Sequence, residues 1–411
     1  MKQDSDLRNN LKSIRTRLGM SQQDLANIAG VTRQTISGVE SGQYAPSVAI
    51  TLKLAKALGC QVEDLFWLEQ DLPEIEATLA KPVTINQPLR VSLARVGGQW
   101  IAYPLVGKDA FRQDMTPADG ETVAVVRQSD LGGFPQKELP KGLPGISKLS
   151  NPEGEAAKQI GKDKVIVRLL DDNLEALHNT VVIAGCSPVI SLWARATERW
   201  HPQLRVHFTF ANSMAALHSL CRGEAHIAGM HLYDPKTGEH NVPFVREVLA
   251  DKSAVVITLG LWEEGLLVES GNPKGWETLS DLVKAKATII NREPGAGSRM
   301  LLERKLQEAQ ISFDAVKGFD QIVTSHQDVA QAVALGLADA GISTASIAAT
   351  FGLGFIPLHQ SRYDLVILKE YLEEAPIQQL LSTLGHRMVH SQLEVLGGYD
   401  IRRIGEVVAT V

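Results

Sequence analysis

One short stretch, from Ser21 to Ser37, constrains the fold of this chain more than any other. Ser21 and Asp24 have the spacing of a capping box, in which the serine hydroxyl accepts a hydrogen bond from a backbone amide and the carboxylate returns to the first residue. A helix therefore starts at Ser21. Gly30 permits a tight turn after it because glycine tolerates positive φ, and a second helix starts at Thr32. The stretch predicts two short helices joined by a glycine turn, a helix-turn-helix.

The second helix of this pair carries a polar outer face. Ile36 and Val39 face inward at helical spacing, which leaves Arg33, Gln34 and Ser37 together on the outside. Arginine pairs with guanine, glutamine pairs with adenine, and serine bonds a base or a phosphate. These side chains indicate a helix that reads the major groove of DNA. A small helical bundle used for protein contacts is the alternative.

The flanking residues complete a helical head over residues 1–70. Leucine and isoleucine at helical spacing from Leu7 to Leu18 predict a first helix, 47–59 a fourth, and a fifth starts at Val62. Residues 5–68 resemble the phage-repressor and Cro-like (XRE-type) helix-turn-helix family. The matching motifs are Ser21-Gln22-x-x-Leu25-Ala26, Gly30-Val31-Thr32, Ile36-Ser37-x-x-Glu40-x-Gly42 and Pro46.

This resemblance implies a transcriptional regulator that binds double-stranded operator DNA. Such heads act as two-fold dimers on half-sites about one DNA turn apart, so we expect a homodimer or a dimer of dimers. In the family, the glutamine of the first motif contacts the DNA backbone and the outer face of the next helix reads bases. The expected DNA contacts are Gln22, Thr32, Arg33, Gln34 and Ser37, with phosphate contacts from Lys12 and Arg15.

Length, charge and cysteine content narrow the rest. A chain of 411 residues suggests roughly three domains. The net charge of -6 means that any DNA-binding patch is local. Cys60, Cys186 and Cys221 lack the spacing of a disulfide framework or a zinc site, so no metal or cofactor is predicted. No signal peptide or membrane span is recognisable, and the sequence predicts a soluble, cytoplasmic protein with no membrane partner.

The middle of the chain is predicted to be a small β-rich module. Prolines bracket a connector at 71–87, and the module follows at 88–172. Two β-prone runs around Gly97 and Gly98 indicate a hairpin. Further strands are expected at 121–127 and 164–170, separated by a long exposed loop at 132–161. No catalytic group is recognisable in this module.

From residue 173 to 411, apolar strands alternate with helical patterns, which favours α/β layers. Gly223–Gly229 and Gly336–Ile342 echo each other, each after a helix and before a strand, which suggests two lobes. The predicted fold is multidomain: an all-α head, a β-rich middle module and a two-lobed α/β domain. Its strands are expected at 181–184, 206–210, 226–230, 255–259, 288–290 and 363–368.

The turns from strand to helix in this domain carry its chemistry. The runs 185–188, 210–214 and 291–299 each place backbone amides and a hydroxyl at a helix start, where an anion is favoured. In open α/β sheets such turns converge on one cleft. The sequence therefore predicts a small-anion site between the lobes.

Residues 178–400 resemble the two-lobed, type II periplasmic-binding-protein-like domains classed as molybdate-binding. The matching residues are Gly223 to Asp234, Thr237 to Asn241, Gly271 to Lys274, Asn291-Arg292-x-x-Gly295-x-Gly297-Ser298-Arg299, Ser325-His326, Ala338 to Gly341 and Arg362 to Leu365. The resemblance implies that an oxyanion such as molybdate or tungstate binds in the cleft. The expected ligand contacts are Cys186, Ser187, Asn212, Ser213, Gly297, Ser298, Arg299, Ser325, His326 and Tyr363.

Departures from this family keep other ligands open. Glu263 and Glu264 stand where the family favours a cationic and an amide side chain, so contact with them would disfavour a dianion. Arg299 is also suited to bracing its lobe. Alternative functions are a regulator that responds to a small organic ligand or to thiol oxidation at Cys186, and a non-catalytic protein-binding adaptor. No nucleophile and base with catalytic spacing is present, so an enzyme is not predicted.

Overall fold

The computed structural model describes residues 7–68, 72–83, 88–110, 115–126, 164–171 and 173–411. The chain divides into two units, residues 1–73 and residues 74–411. Among the described residues, every helix falls short of the length and apolarity that a membrane span requires.

The first unit is a helical head with a short two-stranded sheet. In chain order its elements are β1 (Leu7–Asn9), α1 (Leu11–Arg17), α2 (Gln22–Ala29), α3 (Arg33–Glu40), α4 (Val48–Leu58), α5 (Val62–Leu65) and β2 (Phe66–Leu68). The predicted capping box of Ser21 and Asp24 starts α2, and Gly30 ends it at φ 63°. The predicted first and fifth helices were too long, because Leu7 lies in a strand and α5 stops at Leu65 so that β1 and β2 can pair.

Five strands from the described residues between 74 and 169 form a closed barrel. Its strands are β3 (Glu74–Leu79), β4 (Arg90–Val96), β5 (Gln99–Pro104), β6 (Gly120–Val126) and β7 (Lys164–Leu169), in the order β3-β5-β4-β6-β7. The predicted hairpin of β4 and β5 is confirmed. The connector predicted at 71–87 was wrong in part, because Ala77 and Leu79 alternate with polar residues and bury themselves in the barrel core. The loop predicted at 132–161 lies outside the described residues.

The two-lobed domain follows the barrel. Its elements are α6 (Leu174–His178), β8 (Thr180–Gly185), α7 (Val189–Trp200), β9 (Arg205–Phe210), α8 (Ser213–Cys221), β10 (Ile227–Met230), β11 (Tyr233–Asp234), β12 (Glu239–His240), α9 (Val242–Val248), β13 (Ala254–Val268), α10 (Leu279–Lys284), β14 (Ile289–Arg292), α11 (Gly297–Glu308), β15 (Ile322–Val323), α12 (His326–Ala334), β16 (Ala340–Thr344), α13 (Ala345–Phe351), β17 (Gly354–Leu368), α14 (Lys369–Leu372), α15 (Ala375–Ser382), α16 (Arg387–Leu396), β18 (Tyr399–Asp400) and β19 (Val407–Thr410).

The strand order reveals two similar halves. The main path is β15-β14-β16-β13-β17-β10-β8-β9. In the first lobe β9, β8 and β10 are parallel, and in the second lobe β15, β14 and β16 repeat that order. The predicted echo is therefore confirmed, since its two copies lead into β10 and β16. The antiparallel strands β13 and β17 pass through both lobes and join them.

The barrel is not separate from the first lobe, as the domain limits at 88–172 and 173–411 had implied. One hydrophobic cluster contains barrel residues such as Val96 and Ile101 together with Val181 and Ile183 of β8. The Arg205 side chain of β9 also pairs with Asp119 at the start of β6. The outer wall of the barrel is thus part of the core of the first lobe, because these apolar side chains would otherwise face water.

Candidate functional site

Helix α3 presents the outer face that the sequence predicted. The Thr32 hydroxyl caps the helix by accepting from the Thr35 amide at 3.1 Å. Thr32, Arg33, Gln34 and Ser37 are exposed, whereas the inward-facing Ile36 is fully buried. The side chains expected to read bases therefore share one accessible surface. Their contacts with DNA stay predictions.

Arg15 does not belong to that surface, which corrects the predicted phosphate contact. It is only 9% exposed, and its Nε donates to the Glu40 carboxylate at 2.6 Å. Its Nη1 donates to the Met20 carbonyl at 2.6 Å, so the guanidinium ties α1 to α3. Glu40 also accepts from the Gln22 amide at 2.8 Å, which fixes that side chain at the start of α2. A buried guanidinium with these partners stabilises the packing of the head and is not available to contact a phosphate.

The head is less acidic than the chain as a whole, although Arg15 is withdrawn from its surface. Residues 1–70 contain eight lysine or arginine residues and seven aspartate or glutamate residues, against a net charge of -6 for the whole chain. Lys12 is exposed on α1. Attraction to DNA therefore depends on where the exposed cations of the head lie, since the head has no large excess of positive charge.

The second candidate site is the cleft where the two lobes meet. Across it, the Met214 amide of α8 donates to the Gly295 carbonyl at 3.3 Å, and the Asn212 side chain donates to the Pro294 carbonyl at 3.2 Å. The start of α11 comes closest, because a methyl group on Gly297 would lie 2.4 Å from the His231 carbonyl oxygen. Glycine at this position allows the lobes to touch.

A buried carboxylate, Glu264, stands at the centre of the cleft. It is 1% exposed and lies next to a β-bulge in β13. It accepts hydrogen bonds from Ser298 Oγ of α11 at 2.8 Å and Ser361 Oγ of β17 at 2.5 Å, and its other neighbour is His231 Nδ1 at 3.2 Å. Groups from both lobes and from the neighbouring strand β17 therefore converge on one anion, as a buried charge requires.

Burial and pairing set the charges of these groups. Burial alone would lower the pKa of His231, but the Glu264 carboxylate and the Cys186 thiol beside it raise the pKa instead. Burial would raise the pKa of Glu264, but the charge of His231 and its hydrogen bond lower it. Burial keeps the pKa of His326 well below its usual value, with the nearby Arg292 acting in the same direction. The cleft therefore holds an ion pair of no net charge beside a neutral imidazole.

His231 of this ion pair also belongs to a cluster of three side chains, with Cys186 and His326. Their potential ligand atoms all lie within 4.8 Å of one another, and all three residues are buried. Trp262 stands edge-on to His231 with ring centroids 4.8 Å apart, and Tyr363 stacks on His231 at 5.9 Å. Three buried polar atoms of these side chains have no hydrogen-bond partner among the described residues: His326 Nε2, Trp262 Nε1 and Tyr363 Oη.

The structure separates the predicted ligand residues into two groups. Those that reach the cluster or pack directly behind it are Cys186, Ser187, Ser213, Gly297, Ser298, His326 and Tyr363. Asn212 and Ser325 serve instead as helix caps, which accept from the Ala215 and Asp328 amides.

Arg299 is not part of the cluster, which corrects its predicted role. Its Nε donates to Glu303 at 2.8 Å, its Nη1 donates to the Arg292 carbonyl, and its guanidinium lies over the Phe319 ring. It braces α11 because an acidic partner stands one helical turn away.

Sequence reasoning missed the role of three residues at this site: His231, Glu264 and Ser361. Glu264 had a signal, since it departs from the family pattern. His231 is a buried histidine whose ring also faces Cys186 and Glu264. Ser361 had no signal, because only the pairing of β13 with β17 brings it opposite Trp262 and next to Glu264.

The barrel reaches the second lobe at the start of α12. Lys108 Nζ donates to Thr324 Oγ1 at 3.1 Å and forms an ion pair with Asp328. His326 lies in the same helical turn as Asp328. The turn that supplies a buried histidine to the cleft therefore also touches the barrel.

Comparisons with known proteins give separate matches for the helical head and for the two-lobed domain. A helix-turn-helix family model matches residues 11–65, and a model described as the PBP superfamily domain matches residues 194–385. The uncharacterized helix-turn-helix-type transcriptional regulator YgzD of Bacillus subtilis is 45% identical over 65 residues, 16% of this chain and 98% of YgzD.

Other comparisons cover about half of this chain. The uncharacterized protein YvgK of Bacillus subtilis is 35% identical over 199 residues, 48% of this chain, and this match spans 64% of YvgK. A putative phosphate ABC transporter substrate-binding protein from Clostridium perfringens, solved with phosphate, is 15% identical with a TM-score of 0.42, covering 55% of this chain and 99% of that protein. The effector-binding domain of a BenM variant is 14% identical with a TM-score of 0.38, covering 54% and 99%.

Proposed function

Since this chain belongs to the helix-turn-helix (XRE-type) transcriptional regulators and carries a periplasmic-binding-protein-like domain, we propose that it is a cytoplasmic one-component regulator that couples an effector in its cleft to DNA binding. One observation carries the proposal. The first turn of α12 contributes His326 to the cleft and Asp328 to the ion pair with Lys108 of the barrel. Effector binding that shifts α12 therefore alters a contact with the module that follows the head in the chain.

DNA is the proposed output partner. The exposed face of α3 supports base contacts by Arg33 and Gln34, and a homodimer would present two such faces to a palindromic operator. Linkage then requires that DNA change the affinity for effector by the same factor as effector changes the affinity for DNA.

Selection from random DNA tests the proposed DNA binding. The full chain selects duplexes from a random-sequence library, and fluorescence anisotropy then measures affinity for the selected sequence. Replacing Arg33 and Gln34 with alanine should weaken specific binding by roughly 5–150-fold per lost bidentate contact. Lys53→Ala, an exposed change on α4, is the matched control. Equal binding by the double variant and the control would contradict the proposal.

An oxyanion, molybdate or tungstate, is the first proposed effector. Backbone amides at the start of α11, together with the hydroxyls of Ser187 and Ser213, support it. Glu264 opposes it, because the carboxylate already accepts from the Ser298 and Ser361 hydroxyls that an oxyanion would use. Anion binding would have to compete with this internal anion.

Calorimetry with molybdate, tungstate and sulfate tests this effector class. Glu264→Gln removes the competing charge, so it should tighten oxyanion binding relative to the unaltered chain. Arg299→Lys, which keeps the charge of a residue outside the cluster, should leave the affinity unchanged. Absence of heat for all three oxyanions with both the unaltered chain and Glu264→Gln would exclude them as effectors and leave the DNA-binding proposal intact.

A thiol-oxidation sensor is less well supported. Cys186 is 4% exposed, and oxidation of a thiol depends on access as well as on thiolate character. All three cysteines are free, and Cys60 lies in the other unit of the chain. A small organic ligand and a protein partner remain alternatives that the calorimetry would leave standing.

A further inference from the structure

We propose that Cys186, His231 and His326 form a binding site for one divalent metal ion that accepts sulfur ligands, such as Zn²⁺. The metal site stands on its own geometry, and its effect on DNA binding rests on the function proposed above. One thiolate and two imidazoles are ligands that zinc accepts with a fourth position left open.

The distances fit an ion after a small contraction. The three candidate ligand atoms lie within 4.8 Å of one another. In a tetrahedral site with Zn–S of about 2.3 Å and Zn–N of about 2.0 Å, neighbouring ligand atoms are separated by roughly 3.5 Å. A contraction of about 1 Å between the side chains would therefore bring the ligand atoms to these separations.

The second ring nitrogen of each histidine is already engaged, as metal-binding histidines require. His231 Nδ1 lies 3.2 Å from Glu264, and His326 Nδ1 lies 3.1 Å from Ser343 Oγ. Ser343 Oγ also donates to the His326 carbonyl, so it accepts from the ring N–H and leaves the Nε2 lone pair of His326 free. Such outer partners orient the rings and raise their basicity toward a metal.

His326 Nε2 is a second, independent observation that points to a ligand at this cluster. The residue is 2% exposed, and this atom has no hydrogen-bond partner in the part of the chain described by the structure. A buried lone pair without a partner is costly, and a cation would satisfy it.

Charge and proton balance also suit a divalent cation. The ion displaces the proton of the Cys186 thiol and the Nε2 proton of His231, and both protons pass to solvent. The two positive charges of the ion are then balanced by the thiolate and by the Glu264 carboxylate beside it. An ion with this balance costs less to bury than an unpaired charge.

The ion would connect the lobes. Cys186 follows β8 and His231 follows β10 in the first lobe, whereas His326 opens α12 in the second. A metal held by all three stabilises the closed arrangement. It also fixes the helical turn that carries Asp328 against Lys108 of the barrel.

The test is metal binding by the full chain after treatment with EDTA. Zn²⁺ is titrated against a chromophoric chelator, and Co²⁺ is added separately to look for a sulfur-to-cobalt charge-transfer band. We expect one ion per chain and a cobalt band that Cys186→Ser abolishes. His326→Gln should weaken Zn²⁺ binding more than 100-fold. Glu264→Gln should weaken it by about 10–100-fold, because Glu264 orients the His231 ring and does not bind the ion itself. Cys221→Ser is the control, since that thiol lies outside the cluster.

Circular dichroism shows which variants fold, and the cobalt band keeps the proposal testable if one ligand variant fails. A stoichiometry of zero, or a cobalt band that survives in Cys186→Ser, overturns the site. Anisotropy with selected DNA separates the two proposals. Metal binding with no change in DNA affinity supports the site and refutes its regulatory role, whereas effector-dependent DNA binding in a chain that takes up no metal does the reverse.

Discussion

Protonation of His226 should loosen the joint between the barrel and the first lobe. This buried imidazole accepts the Val182 N–H on Nδ1 at 2.9 Å and donates from Nε2 to the Arg95 carbonyl of β4 at 3.1 Å. Both ring nitrogens are satisfied in a single neutral tautomer. A proton added to Nδ1 would face the Val182 N–H, so protonation removes one hydrogen bond and leaves a buried charge.

The magnitude follows from the pKa of this residue. Burial lowers the pKa of His226 to about 4, against the Arg95 hydrogen bond that acts in the opposite direction, whereas an unfolded histidine titrates near 6.5. Because the folded pKa is the lower one, the unfolded chain binds more protons between these values. The contribution of His226 is fully present above pH 6.5 and is lost as the pH falls toward 4. At about 1.4 kcal/mol per pH unit, the loss approaches about 3 kcal/mol.

Urea unfolding followed by tryptophan fluorescence measures this loss. Five of the six tryptophans lie in residues 74–411, so the signal reports the second unit. His226→Gln should be less stable than the unaltered chain at pH 7.5 but should lose less stability between pH 6.5 and 4.5. His178→Gln, a change at an exposed histidine, should keep the full pH dependence. Identical pH slopes for His226→Gln and the unaltered chain would refute the assignment of this titration to His226.

Three further substitutions test other contacts. Arg15→Ala should destabilise the head by about 3 kcal/mol in urea, because it leaves Glu40 buried without its ion partner, and stability equal to that of Lys12→Ala would contradict this. Gly297→Ala should weaken effector or metal binding by at least 10-fold in calorimetry, because its methyl group would lie 2.4 Å from a backbone oxygen of the opposite lobe, and unchanged affinity would show that closure does not need this contact. Lys108→Ala should reduce the effector-induced change in DNA affinity by up to about fivefold, since an exposed ion pair contributes at most about 1 kcal/mol, and a larger effect would mean that the barrel acts by another route.

The local features of the fold were predictable because short-range chemistry determines them. The capping box at Ser21, the left-handed Gly30 and the hairpin of β4 and β5 each depend on a few neighbouring residues. The short apolar strands β8 and β10 were equally clear, since parallel strands covered on both faces are continuously apolar. These features were enough to predict the helical head and the α/β layers of the two-lobed domain.

The longer strands were not predictable from periodicity. β13 and β17 each span 15 residues, but only their apolar ends were recognised. Polar residues such as Glu264 and Ser361 interrupt the pattern where the strands pass between the lobes. Burial of these side chains depends on partners from distant segments, which a one-dimensional pattern does not contain.

The buried groups of the site were hidden for the same reason. Cys186 and His231 follow two different strands, His326 opens a helix, and the three share no motif spacing. Arg15 resembled a phosphate-binding side chain because its carboxylate partner, Glu40, lies two helices away. A surface arginine and a buried arginine look the same in a sequence. Only the packing of α1 against α3 distinguishes the two cases.

The paired strands β13 and β17 determine how the two lobes can move. They are hydrogen-bonded to each other along their length, so closure has to proceed by twisting a ribbon rather than by swivelling about a flexible loop. A ribbon stores bending energy and returns when released, which favours small, reversible excursions. Glu264 sits at a bulge within this ribbon. Any ligand that contacts that carboxylate therefore acts directly on the bending of the two strands. The strength of the signal would then depend on the stiffness of these strands as much as on the affinity for the ligand.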